Sequence, residues 1–240
     1  MAPTPNKKKS PTGRGLLARP LEALVFLLPL IAFYGLFARS ANQQVIAFHV
    51  VRVFFELFGE FGRWAPGIAV VVVLIATHAA SGEKWRVRWS RIPLMYVEAA
   101  LLALPLLLLG RTSFVGGASS VAQDTIHAIA LGVGAGVYEE FVFRLVLITV
   151  LMMVGVDLLK HTKGRVAVFA IIVSSLAFAG HHHQPIGAEP FEWTAFAFRS
   201  IAGVYLAGVF WVRGYASAAG AHAAYNVLLI ALARLATSAA

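Results

Sequence analysis

Long apolar runs alternate along the chain with short basic or turn-rich segments. The run "LEALVFLLPLIAFYGLF" (21–37) predicts a first membrane span. Small residues follow at Ala38 and Ala41, but the run is long and the cleavage pattern poor, so an uncleaved anchor is expected. "VIAFHVVRVFFELF" (45–58) is aromatic-rich, with Arg52 and Glu56 one helical turn apart, and predicts an interfacial amphipathic helix. Spans are predicted at 65–80 and 93–110, separated by the basic, Trp-bearing loop 81–92. Residues 119–137 form a less apolar helix with three glycines near its end, running straight into 138–159. The pair reads as one broken or kinked crossing, two crossings being the alternative. Further spans are expected at 166–183, which ends in three histidines, at 193–212 and at 215–235. The fold class is therefore all-α: a polytopic transmembrane helical bundle of about seven to eight spans.

Composition agrees with the pattern. The 240 residues are 59% hydrophobic and 13% charged, with a mean hydropathy of +0.77, too little polar surface for a soluble domain. The net charge of +9 comes from short basic clusters between apolar runs. That is the positive-inside pattern, so the expected partner is the lipid bilayer and no nucleic acid is expected. The basic tail, the 81–92 and 160–165 loops and Arg213 fall on one side of seven crossings, which predicts a cytoplasmic N-terminus. The chain divides into a basic, disordered cytoplasmic tail (1–20), N-terminal membrane helices with the interfacial helix (21–118), and a polar-bearing core (119–236). The absence of cysteine removes thiolate nucleophiles and Cys-ligated metals.

Ionisable groups at membrane depth are costly and usually functional or paired. "GVYEEFVFRLVLI" (136–148) carries three. Residues four apart on a helix lie about 40° apart and residues five apart about 140° apart. Arg144 therefore sits over Glu140, a built-in ion pair, and away from Glu139. An unpaired Glu139 requires a cavity, water, or a histidine from another helix. In "FAGHHH", helical geometry sends His181 and His183 about 100° to either side of His182, so at most one or two face a common site. His222 and Asn226 share a face of the last span among small residues, which suits either interhelical hydrogen bonding or a site. Glu98 and Arg199 lie inside spans and are candidates to pair with each other or with the Glu139 cluster. Asp124 and His127 share a helix face; His49, His78 and His161 receive no role.

Several intramembrane chemistries lack their motifs. There is no HExxH helix and no Gly-x-Gly-Asp, and Ser174 and Ser175 have no Gly-flanked serine motif. What stands in order is Glu-Glu-x-x-x-Arg (Glu139, Glu140, Arg144), Phe-x-x-x-His (Phe178, His182) and His-x-x-x-Asn (His222, Asn226). The set resembles the CPBP family, the CAAX prenyl endopeptidases and bacteriocin-processing intramembrane proteases, over roughly residues 120–232. The resemblance selects His182 from the triplet. It implies a glutamic-type intramembrane endopeptidase acting on a membrane-anchored protein or peptide: a CAAX-type substrate, a leader or a C-terminal sorting tail.

On that resemblance Glu139 is the base and His182 holds and polarises the water. Glu140 and Arg144 fix the helix and the local field, and His222 and Asn226 donate to the oxyanion. No cofactor is expected; the competing version places a divalent metal such as zinc between carboxylate and histidines. The non-enzymatic alternative is a bacteriocin self-immunity factor or a small transporter. The expected location is a cell membrane, the bacterial inner membrane, crossed several times. Glu139 lies ~30 Å of helix from Lys160, His182 ~24 Å beyond Val166 and Asn226 ~16 Å into its span. With basic loops inside, these depths place the site in the outer half of the membrane. That location suits an exported protein's tail or leader better than a cytosolic prenylated one.

Overall fold

The computed structural model describes residues 19–38, 64–110, 125–187 and 189–238. The interfacial helix expected at 45–58, most of the tail, His49 and Asp124 lie outside the described residues. Among those described, the chain forms seven helices: α1 (Pro20–Phe37), α2 (Ala65–Ser81), α3 (Arg91–Gly110), α4 (Thr125–Leu158), α5 (Lys163–Gly180), α6 (Trp193–Arg213) and α7 (Tyr215–Ser238). Six are long and apolar enough to cross a membrane, and α2 is a shorter apolar helix of 17 residues. The chain is a multi-pass membrane protein. Its outer face is hydrophobic, with Leu36, Ile68, Leu94, Leu108, Val168 and Leu235 exposed, while Glu139, Glu140, Arg144 and His222 are buried. Apolar outside and charged inside is the arrangement a lipid solvent demands.

The break expected at "GVGAG" does not exist. The helix continues through the glycines as one element of 34 residues, ~51 Å long against a hydrocarbon core of ~30 Å. The glycines instead admit neighbours. A methyl group on Gly134 would fall 2.3 Å from the Tyr34 ring of α1, and one on Gly136 2.4 Å from the backbone nitrogen of Ala223 in α7. Close backbone approach through small residues drives helix association in membranes. It draws α4 against α7 where Gly136 meets Ala223, while Gly220 of α7 backs onto Phe26 of α1 and Ala99 of α3.

The irregularity in α4 comes just after the glutamates. Residues Phe141–Ile148 and Met153–Leu158 are π-helical, separated by one α-turn. Widened turns re-route backbone carbonyls, and Ser174 of α5 donates its hydroxyl to the Phe143 carbonyl at 2.8 Å. Ser175 donates to Ile171 O within its own helix. Both serines are thus backbone partners rather than members of a catalytic dyad.

The link between α6 and α7 is a single residue, Gly214, whose φ of 94° favours glycine. It is buried, so α7 starts inside the bundle. The buried Tyr215 hydroxyl donates to Val137 O of α4 at 2.9 Å. This interior start explains why His222 and Asn226 meet Glu139 although they lie so few residues into their helix.

Candidate active site

Three elements deliver the polar groups: α4 at the α-turn just before its first π-helical stretch, the end of α5 with the turn after it, and the first half of α7. Glu140 and Arg144 form the expected pair, Oε1 to Nη1 at 3.0 Å, with both side chains fully buried. The pair has further partners. Arg144 Nη2 donates to Gly203 O of α6 at 3.2 Å, and its guanidinium lies 4.3 Å from the Phe178 ring centre. His222 Nδ1 sits 3.0 Å from Glu140 Oε1. A carboxylate engaged by arginine can only accept, so Nδ1–H of His222 donates, leaving Nε2 turned toward Glu139 at 4.0 Å.

Among the described residues no arginine forms an ion pair with Glu139; it faces imidazoles from two other elements. Its Oε1 is 3.4 Å from His181 Nε2, and its Oε2 is 4.0 Å from His182 Nε2 and from His222 Nε2. Three histidines from outside α4 therefore meet Glu139, one on α7 and two just beyond α5.

The reading of the triplet needs correction. Helix α5 ends at Gly180, so His181–His183 lie in a turn and do not follow helical pitch. His181 and His182 both face Glu139, and His181 was missed. Gly180 at the end of the apolar run was the available signal, since glycine commonly closes helices. His183 is directed elsewhere: its Nδ1–H donates to Pro190 O at 3.2 Å, and its Nε2 lies 3.5 Å from Arg199.

Tautomers follow from the carbonyls. Both His181 Nδ1 and His182 Nδ1, the latter at 2.9 Å, donate to Phe178 O, because a carbonyl cannot donate. In the neutral rings each Nε2 then carries a lone pair. Glu139, His181 and His182 present ligand atoms all within 4.8 Å of one another. Acceptor atoms gathered so closely in a buried site require something between them that brings positive charge: a proton, the hydrogens of a water, or a cation. A His₂Glu set is also a known zinc-binding combination, so these three residues are the ones that could hold a metal.

The site opens on a cavity of about 200 Å³ between α3, α5, α6 and α7. His182, His222, Asn226 and Arg199 supply its polar wall, and Phe178, Phe198 and Leu229 part of its apolar one. Asn226 is anchored by one N–H, which donates to Gly132 O at 2.9 Å; an amide nitrogen has a second.

The loop that carries His182 is itself pinned. Gln184 N donates to Glu189 O at 2.8 Å, Glu189 N to His182 O at 3.1 Å, and Arg199 to the Glu189 carboxylate at 2.8–2.9 Å. Glu192 caps α6 by accepting from Thr194 N and Ala195 N. The suggested Glu98–Arg199 pairing is thereby overturned: Arg199 is taken by Glu189, and Glu98 pairs with Arg213. His127 contacts Phe37 O and stands apart from the site.

Comparison with known families fits this geometry. The type II CAAX prenyl endopeptidase Rce1-like family matches residues 121–228. That segment is a domain of the family. No curated protein and no solved structure matches the chain. The CAAX-type domain spans α4 to most of α7 and contains each of the six residues singled out in the sequence, together with His181. The chain accordingly carries a CAAX-type membrane-protease domain, of a family that acts on protein substrates, within a multi-pass membrane protein.

Proposed function

We propose that this protease hydrolyses a peptide bond in a membrane-associated protein or peptide, a CAAX-type substrate, leader or C-terminal sorting tail, with a water activated by Glu139. The observation that carries the reading is the convergence of one buried carboxylate with three imidazoles beside a polar-walled cavity. A water among these groups donates one hydrogen to Glu139 and the other to His182 Nε2. Glu139 takes the first proton as the water oxygen attacks the scissile carbonyl. The oxyanion accepts from the second N–H of Asn226 and from His222. Because Nδ1–H of His222 is committed to Glu140, Nε2 donates only in the doubly protonated ring. Glu139 then returns its proton to the departing amine. Glu140 and Arg144 position His222 and are not themselves in contact with substrate.

A second reading is favoured by the donor set of Glu139, His181 and His182. Those residues would hold a divalent cation such as zinc, which when bound would supply Lewis-acid activation of the water.

The test compares the proteins processed in membranes carrying the wild type with those carrying Glu139→Gln or Asn226→Ala. Glu139→Gln is expected to lower the cleavage rate by about 10²–10⁴-fold with an unchanged unfolding midpoint. An unchanged processing pattern overturns the proposal. Chelation of the purified enzyme decides between the versions: retained activity supports the metal-free water, and loss restored by zinc supports the metal.

A further inference from the structure

The opposite end of the bundle holds a second polar cavity, of about 460 Å³, between the start of α1, the end of α2 and the 82–90 loop. Its wall includes Arg19, Lys84, Arg86 and Arg88, together with Glu22 and His78. The charge does not balance. Glu22 is buried, and three arginines already converge on it: Arg88 at 2.8 Å, Arg19 at 3.4 Å and Arg91 at 3.8 Å. Lys84 and Arg86 add two exposed cations on the same rim, against the further acid Glu83.

His78 is the independent observation. It lines the cavity, is 2% exposed, and neither ring nitrogen has a hydrogen-bond partner among the described residues. A buried polar group left unpaired is rare and points to a ligand oxygen or water. Its ring packs edge-to-face on Trp85, centroids 4.5 Å apart, so its position is fixed.

We propose that this cavity binds the phosphate of an anionic phospholipid headgroup. Guanidinium groups match phosphate oxygens in pairs, lysine adds a point charge, and the His78 N–H supplies a buried donor. The volume falls in the range of small-ligand sites, about 300–1,000 Å³. Two features favour a lipid over a soluble phosphate. Trp85 and Trp89 stand exposed beside the cavity, as aromatic side chains do at headgroup depth. Below it, Val72 and Ile75 of α2 and Leu94 of α3 are exposed, an apolar surface for acyl chains. Basic pockets between membrane helices are recurrent headgroup sites. The residues of the wall all lie outside the CAAX-type domain.

The test is native mass spectrometry of the full chain with phosphatidylglycerol and phosphatidylcholine of identical acyl chains. The wild type is expected to retain phosphatidylglycerol about tenfold better. Lys84→Gln/Arg86→Gln, an exposed pair whose replacement spares the fold, is expected to remove most of that preference. His78→Phe, which keeps the contact with Trp85, is expected to weaken it several-fold. Lys163→Gln/Arg165→Gln, a basic pair in the first turn of α5 and outside the cavity wall, is expected to leave it intact. Equal retention of both lipids by the wild type overturns the proposal, as does a preference unchanged by Lys84→Gln/Arg86→Gln or lost equally in the Lys163/Arg165 control. Added inorganic phosphate separates the sources: displacement of the lipid at low millimolar phosphate assigns the site to a soluble anion and overturns the lipid assignment.

Discussion

Glu139 and Glu140 are neighbours in sequence with opposite surroundings. Glu140 is locked between Arg144 and His222, while Glu139 is met by imidazole nitrogens, those of His182 and His222 belonging to the cavity wall. Removing one partner of a fully buried pair leaves an uncompensated charge, a cost of about 3–5 kcal/mol. Arg144→Met is thus expected to lower the unfolding midpoint of the detergent-purified protein steeply, and Glu140→Gln/Arg144→Met to recover much of the loss. An additive double variant would show that the pair is not coupled. Helical pitch was enough to separate these two glutamates from sequence, because α4 stays helical across them. The same rule failed at His181, because helix geometry was extended past Gly180 into a turn. It also left the partners of Arg199 and Glu98 open: two long side chains reach many positions, and only the folded loop brings Glu189 to Arg199.

At the scale of the helices, the site depends on how closely α4 approaches α7. Asn226 reaches Gly132 O and His222 reaches Glu140 only because Gly136 carries no side chain where it meets the Ala223 backbone. Backbone cannot yield as a flexible side chain can, and overpacking costs about 1–3 kcal/mol. Gly136→Val is expected to reduce cleavage more than tenfold by separating the donors from Glu139, with a smaller loss from Gly136→Ala. Both are read as kcat and unfolding midpoint on the purified protein. Activity retained in Gly136→Val would show that the seam does not set the site. The apolar runs made the helices legible, and their ends fall within a few residues of expectation. The glycines were misread, since a glycine cluster in an apolar helix can mark a break or a close contact. Only the neighbouring helix decides. The π-turns of α4 carry no signal of their own in the apolar pattern.

At the scale of the whole molecule, the question is which side of the membrane the site faces. Seven helices in alternation place the start of α1, the 82–90 loop and the 159–162 loop at one end, and the 181–192 loop at the other. The contact of Arg88 with Glu22 and that of His127 with Phe37 agree with this alternation. The first end carries Arg19, Lys84, Arg86, Arg88, Arg91, Lys160, Lys163 and Arg165, whereas the 181–192 loop has no lysine or arginine. Orientation follows such asymmetry, so the basic end is expected in the cytoplasm. Glu139 is 19 positions from Leu158, at the basic end of α4, and 14 from Thr125 at the other, so with that orientation the site is expected nearer the outer surface. The chain has no cysteine, which makes single-cysteine labelling unambiguous. Ile186→Cys lies on the exposed part of the 181–192 loop and His161→Cys on the exposed 159–162 loop. A membrane-impermeant maleimide is expected to label Ile186→Cys in intact cells and His161→Cys only after permeabilisation. The reverse pattern would put the cavity on the cytoplasmic side and favour a cytosolic CAAX-type tail as substrate. The expected pattern favours an exported protein's tail or leader, because that peptide must enter from the side on which His182 and Asn226 line the opening.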